Sequence, residues 1–473
     1  MAGEDKGGGW RYDLFERFPS LKRVVRLRGF QFLLVLPNLL LFYLFFATSL
    51  FGHPVGNQNI TILFVWILWW FVLIAFMVPF GARLWCTMCP LPFFGDWLQR
   101  RELTRVRAGK TRGLKNEFHG GLKTWPKNLR NIWMQNIGFL FLALFSALLV
   151  TRPMASVIVF GVMIVLAVVF ALIWRLRAFC NYLCPISGFL SLFAMTSTVE
   201  LRSRDADVCL KCRDKSCTTG NESGWACPWG VYMGKLDRNN YCGLCMECIK
   251  SCSNDNISLN LRPFAADTRL KGYDEAWKAF IMTVLAMVYS ITLLGPYGRV
   301  KDWANVTWSG DIAGFLLYAG AIVAACMVAL PLFHLAVVWC ARWAGGDAGV
   351  GIKPLFIGYA YTLVPLGLLA WVAFSFPLIM VNGAYVLQII SDPFGWGWDL
   401  FGTATMPWAP LLPDTTPYLQ SIILLAGLVV AVVKGYGVAR DIYSERIAAL
   451  RSFTPVAAYL FILTSGFLSF FTS

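Results

Sequence analysis

Long apolar runs alternate with polar, charge-bearing stretches from one end of the chain to the other. Nine runs, at roughly 30–51, 60–80, 132–151, 154–174, 277–295, 313–339, 355–378, 419–433 and 452–471, predict membrane-spanning helices. A run of about eighteen or more apolar residues with almost no charge is long enough to cross a bilayer as a helix. The eighth run is short. The first is too long for a cleaved secretion signal and reads as a retained helix. Residues 8–28 read either as an amphipathic stretch on the membrane surface, with Trp10, Phe15 and Phe18 dipping in, or as a disordered basic tail.

Composition agrees with the pattern. The chain has 473 residues, 58% hydrophobic and only 14% charged. That excludes intrinsic disorder and an ordinary soluble multidomain fold. The net charge of +15 would suit a nucleic-acid binder, but the charges sit elsewhere. Lys and Arg number 7 in 1–29, 11 in 81–131, 13 in 175–276, 2 in 341–353 and 4 in 434–451, against 3 in the opposite set of loops. The positive-inside rule then predicts a cytoplasmic N-terminus and an extracytoplasmic C-terminus. Attraction to anionic lipid heads accounts for the basic excess without nucleic acid.

The first two helical hairpins look like copies of one unit. One ends in Arg83-Leu84-Trp85-Cys86-Thr87-Met88-Cys89-Pro90 and the other in Arg177-Ala178-Phe179-Cys180-Asn181-Tyr182-Leu183-Cys184-Pro185. Each motif leads into a short apolar stretch, 91–98 and 186–195, that cannot span a bilayer. Four thiols are thereby expected at the cytoplasmic ends of two hairpins.

Of the 14 cysteines, twelve lie in loops assigned to the cytoplasmic side, where structural disulfides are disfavoured. One run is Cys209-x2-Cys212-x4-Cys217-x9-Cys227-Pro228 and the next is Cys242-x2-Cys245-x2-Cys248-x3-Cys252. The second has the spacing of a bacterial ferredoxin run, in which three close thiolates each ligate one iron of a cubane and the fourth ligates a second cluster. The expected ligand sets are Cys209, Cys212, Cys217 and Cys252 for cluster A, and Cys227, Cys242, Cys245 and Cys248 for cluster B. Zinc is the competing reading of paired C-x2-C units. For Cys86, Cys89, Cys180 and Cys184 the readings are a third iron–sulfur cluster, redox-active dithiols, a metal-transfer site or structural thiols. Cys326 and Cys340 read as packing residues.

The membrane part offers little other chemistry. Its three histidines, His53, His119 and His334, do not supply a facing pair for a b-type haem. His334 lies within a predicted span and is either a quinone contact or a hydrogen-bonded packing residue. No charged ion path and no phosphate-binding loop are visible. The 379–418 stretch has Asp392, Asp399 and Asp414, three Trp, five Pro and no Lys or Arg. It suits an interfacial loop or a surface for a partner subunit.

The hairpin ends at Cys180–Pro185 and the run 209–252 resemble the membrane-bound polyferredoxins related to the NapH component of nitrate reduction, the NosR membrane module and the CcoG assembly proteins. The resemblance covers about residues 30–295. It implies passage of electrons between the quinone pool and respiratory or maturation partners.

The fold class expected is therefore an all-α polytopic membrane protein of about nine transmembrane helices with an inserted α/β two-cluster ferredoxin domain. Its parts are a basic N-terminus (1–29), a first hairpin (30–98), a basic loop (99–131), a second hairpin (132–198), a ferredoxin domain (199–262) and a C-terminal membrane domain (277–471). The expected function is single-electron transfer between a quinone-linked site and a partner in a respiratory complex in the inner membrane. The expected cofactors are two 4Fe-4S clusters, a candidate third cluster and a quinone. The alternative is a maturation factor that reduces a metal or thiol, and a scaffold with clusters as staples comes third.

Overall fold

A computed structural model describes residues 10–54, 56–100, 123–294, 298–346 and 349–471. Residues 1–9 of the basic N-terminus, and 101–122 of the basic loop with His119, lie outside the described residues. Among the described residues, seven helices are long and apolar enough to cross a membrane: Phe30–Phe51, Ile62–Gly81, Pro153–Ile173, Ile312–Ala344, Ile352–Ser391, Thr416–Ile442 and Arg446–Phe471. The chain is a multi-pass helical membrane protein.

The expectation of about nine spans is corrected to these seven. The run at 132–151 breaks into Trp133–Leu144 and Ser146–Leu149, with Phe145 between them outside helical geometry. The run at 277–295 belongs to a helix, Tyr273–Tyr289, that opens on Asp274 and Glu275 and carries Lys278 on its buried side. Acidic residues in a first turn favour the helix N-terminus but lower the hydropathy of any span drawn through them.

The chain divides into two compact units. One comprises Met1–Leu44, Met77–Gln135 and Ile158–Asp267, and the other Phe45–Phe76, Asn136–Val157 and Thr268–Ser473.

The first unit contains a small antiparallel sheet. Strands β1 (Tyr12–Asp13), β2 (Val199–Ser203) and β3 (Ile257–Leu261) lie in the order β1-β3-β2. Leu201 faces Leu259 across the β2–β3 ladder, and Tyr12 pairs with Leu261 across β1–β3. The N-terminal stretch is thus part of the folded unit. Asp13 caps the Leu14–Arg17 helix by accepting from the Phe15 N–H at 2.8 Å. Phe15 is buried in one core with Val25, Leu201, Ile249 and Leu259, whereas Trp10 and Phe18 stay exposed. Burying an aromatic ring against a sheet supplies more stabilisation than a two-residue strand does.

Beneath the sheet lies a buried ionic network. Arg262 donates to Glu200 Oε2 at 3.0 Å, to both Asp267 oxygens at 2.6 and 2.9 Å, and to the Ser197 carbonyl at 3.0 Å. Arg202 adds a 3.0 Å ion pair to Glu200.

In the second unit, Trp371 is fully buried on the Leu363–Asn382 helix and donates its indole N–H to the Met282 carbonyl at 2.9 Å. In the 379–418 stretch the carboxylates serve the loop itself. Asp392 accepts from the Trp396 and Gly397 N–H groups at 2.9 and 2.7 Å, and Asp399 from Ala404 at 3.1 Å.

Candidate functional site

The two hairpin ends repeat a backbone plan. Cys86 lies in the Leu84–Met88 helix and Cys180 in the single wide turn Phe179–Leu183. The second cysteine of each motif, Cys89 or Cys184, leaves its helix in an extended conformation directly before proline. A following proline disfavours the helical conformation, so the sequence itself dictates this exit. Cys184 then caps the Pro185–Phe193 helix, its sulfur accepting the Ser187 N–H at 3.5 Å. Proline in the first turn suits that start.

The four hairpin thiols influence one another. Burial pushes all four values up, and the proximity of Cys180 and Cys86 to Cys89, of Cys184 to Cys180, and of Cys89 to Cys184 pushes in the same direction. Cys184 is pushed up to about 12. Arg83 and Arg177 act against burial at Cys86.

In the segment 199–262, Cys209, Cys212, Cys217 and Cys252 are electrostatic neighbours. Asn256 serves two of them, its side-chain amide donating to Cys209 Sγ at 3.3 Å and its N–H to Cys252 Sγ at 3.4 Å. Cys227, Cys242, Cys245 and Cys248 form another neighbourhood, and burial pushes Cys245 up to about 12. Cys227, Cys242, Cys245 and Cys248 are buried, whereas Cys212 and Cys252 are half-buried and line a pocket together with Cys209 and Cys217.

Two residues that open the repeated hairpin-end motifs, and to which the sequence alone assigns no role, are central here. Arg83 and Arg177 each precede the first cysteine of their motif by three positions, so the repeated R-x2-C carried the signal. Both are buried. Arg83 donates to the Asn240 carbonyl at 2.6 Å and to Ser187 Oγ at 3.3 Å. Its guanidinium lies 4.1 Å from the centre of the Trp229 ring. Arg177 donates to the Cys86 carbonyl at 3.0 Å and pairs with Asp96 at 2.5 Å. The two arginines thus tie both hairpin ends to the 199–262 segment. A planar guanidinium suits such multiple, partly stacked contacts better than lysine does.

Gly243 marks how tightly this region is built. A Cβ there would fall 1.8 Å from Trp229 Nε1. Thr87 Oγ1 donates to the Gly243 carbonyl at 2.6 Å. Gly243→Ala is expected to displace the indole from Arg83 and to cost about 1–3 kcal/mol, the usual range for overpacking. Urea unfolding followed by tryptophan fluorescence checks it; an unchanged midpoint contradicts this packing.

Neighbouring thiols are not by themselves a metal site. Among the described residues, no group of three or more His, Cys, Asp or Glu side chains is arranged to hold a metal ion. That finding overturns the two 4Fe-4S clusters expected at Cys209, Cys212, Cys217 and Cys252 and at Cys227, Cys242, Cys245 and Cys248. It also overturns the candidate third cluster at the hairpin ends, the inserted ferredoxin domain and the iron–sulfur electron-transfer function. The zinc reading falls with them. The physical reason is that motif spacing fixes only which thiols share a turn. Convergence on one ion is a tertiary property that motif spacing does not fix.

The comparisons with known proteins bear on the hairpins. A family model described as a 4Fe-4S binding domain matches residues 62–111 and 157–201. That is less than half of the chain, and it leaves out the 209–252 cysteines. The wider resemblance to membrane-bound polyferredoxins is corrected accordingly: what the chain shares is a likeness to this domain over 62–111 and 157–201, without a converged ligand set among the described residues. An uncharacterized protein of Methanocaldococcus jannaschii is 34% identical over 84 residues, covering 18% of this chain and 31% of that protein. The chain thus spans about a third of the length of the curated relative it matches. No solved structure matches.

His334 is fully buried in the Ile312–Ala344 helical run, where its Nε2 lies 3.0 Å from the Phe356 carbonyl oxygen. The rings of Phe280, Phe356 and Tyr459 surround it. Cys326 is buried in the same run and Cys340 is exposed.

Proposed function

We propose that this multi-pass membrane protein works through its thiols, cycling Cys86, Cys89, Cys180 and Cys184 between dithiol and disulfide forms by exchange with a partner disulfide. The observation that supports this reading is that Arg177 joins the second hairpin end to the Cys86 carbonyl of the first at 3.0 Å, with the four hairpin-end thiols near enough to influence one another. The step balances without a metal. One thiolate attacks the partner disulfide and expels a thiolate, and a second cysteine then resolves the mixed disulfide. The partner leaves as a dithiol and this chain keeps the disulfide. Burial holds the resting thiols protonated, so exchange is slow until a partner docks and helps ionise the attacking sulfur. The cysteines of 199–262 form the adjoining thiol reserve in the same reading.

The distribution of Lys and Arg supports placing the N-terminus and the thiol-bearing loops on the cytoplasmic side of the inner membrane. The C-terminus is then extracytoplasmic, and the partner is a cytoplasmic protein with an exchangeable disulfide.

Sequential alkylation of the full chain in native membranes, with peptide mass spectrometry, tests the reading. A low-potential dithiol and then an oxidised disulfide buffer are expected to switch the hairpin cysteines reversibly and in pairs. Cysteines that stay blocked in every redox buffer, and react only when denaturation releases a bound group, would overturn it.

A further inference from the structure

The first unit contains a pocket beside the hairpin-end thiols, with Cys89, Asp96 and Arg177 on its lining, and thiol exchange makes no use of its other cationic side chains. Its walls come from the start of the Phe30–Phe51 helix and from the Phe93–Arg100 helix, and Cys89 lies on its lining. Phe32, Phe93 and Trp97 give it an apolar side, with Phe32 and Phe93 at a ring separation of 6.3 Å. Arg28 and Arg100 give it a cationic side.

The charges on that lining are unequally spent. Asp96 is taken by Arg177 at 2.5 Å. Glu247 accepts from Lys250 at 2.7 Å and from the Trp225 N–H at 3.0 Å. Arg100 is different. Its side chain is 8% exposed and its guanidinium lies 5.1 Å from the centre of the Trp225 ring; among the described residues its nearest carboxylate oxygen is 4.0 Å away and neither Nε nor Nη2 has a hydrogen-bond partner. A buried guanidinium with two idle donors is costly unless an acceptor joins it. Arg28 is exposed, donates from Nη2 to the Glu222 carbonyl at 3.2 Å, and lies two residues before the Phe30–Phe51 membrane-crossing helix, where lipid headgroups are expected to begin.

From this geometry we infer that the pocket binds the phosphate of an anionic phospholipid. Arg100 and Arg28 hold the phosphate oxygens, and the first acyl carbons lie against Phe32, Phe93 and Trp97. Arginine forks match phosphate oxygens in pairs, which is the chemistry the idle Nε and Nη2 offer. A neutral apolar ligand would leave those donors unsatisfied. A bound headgroup also covers Cys89, so that thiol reports occupancy whatever its own chemistry is.

The experiment uses the full-length protein in nanodiscs of phosphatidylcholine, with or without phosphatidylglycerol. Native mass spectrometry counts retained lipid, and the alkylation rate of Cys89 reports cover. Phosphatidylglycerol is expected to be retained through detergent stripping and to slow Cys89 alkylation by about tenfold, the size of one charge-assisted contact. Arg100→Gln is expected to abolish both effects, with Arg28→Gln, at an exposed position, weakening them without a folding defect. Inorganic phosphate added to the phosphatidylcholine discs separates the sources. Protection by it alone supports the anion site and assigns it to soluble phosphate. Equal retention and equal Cys89 rates in the two lipids, or effects that survive both arginine variants, overturn the inference.

Discussion

Arg262→Met is expected to destabilise the first unit by at least about 3–5 kcal/mol, the range for removing one partner of a buried ion pair. The side chain is 2% exposed and balances two carboxylates at once, Glu200 at 3.0 Å and Asp267 at 2.6 Å. Without it, Arg202 is left with both acids, at 3.0 Å from Glu200 and 3.6 Å from Asp267. Arg11, partly exposed and 2.7 Å from Glu200 Oε1, still serves Glu200, so Asp267 is the buried carboxylate left short of positive charge. The Ser197 carbonyl loses its Arg262 donor at 3.0 Å, and the Met195 carbonyl keeps only the Asp267 N–H at 3.4 Å. Adding Glu200→Met frees Arg202 for Asp267 and is expected to recover part of the loss, because exchanging a whole buried pair for apolar groups is often neutral. Denaturant unfolding of the single and double variants checks this. A double variant less stable than Arg262→Met would mean that Glu200 has another role.

That network connects residues that no local pattern joins. Periodicity placed the membrane helices well where hydropathy is uninterrupted: the expected 30–51 is the Phe30–Phe51 helix, and 154–174 is Pro153–Ile173 within a residue. It did less well where charge enters a helix. The expected 419–433 stops at Lys434, whereas the helix runs from Thr416 to Ile442. Helical hydrogen bonding continues past the bilayer edge, and hydropathy does not. The N-terminal segment was illegible for another reason. A two-residue strand paired with Asn260 and Leu261, nearly 250 positions away, leaves no alternation to read. At the candidate site, the identities of the cysteines and their grouping by turn are visible in the sequence. Whether the sulfurs converge depends on how separate turns are packed, and the spacing of C-x2-C units is silent on that.

The thiol neighbourhood at the hairpin ends depends on Arg177 in a way that pH can expose. Burial alone would push the Asp96 carboxyl up, but Arg177 and Arg100 beside it hold it below the usual carboxylate range. A carboxyl whose folded value is depressed contributes stability that is fully present above its unfolded value, about 3.9. That contribution is lost as pH falls through the folded value. The wild-type protein should therefore lose this part of its stability only in acid, below about pH 4. Arg177→Met removes the closest cation, leaving Arg100 at 4.0 Å and burial in command. The folded value of Asp96 then rises above the unfolded one, and the sign inverts: the variant pays its penalty at neutral pH and regains stability on acidification. At pH 7 the loss is expected to be about 3–5 kcal/mol. Asp96→Asn in the same background removes the stranded charge, so the double variant should be more stable than Arg177→Met at pH 7 and nearly flat with pH through this range. Stability of the three proteins measured between pH 4 and pH 8 decides it. Parallel slopes for wild type and Arg177→Met would show that Asp96 is not held by Arg177. The same substitution also removes the Cys86 carbonyl contact at 3.0 Å, so a shift in Cys86 alkylation should accompany the change in slope.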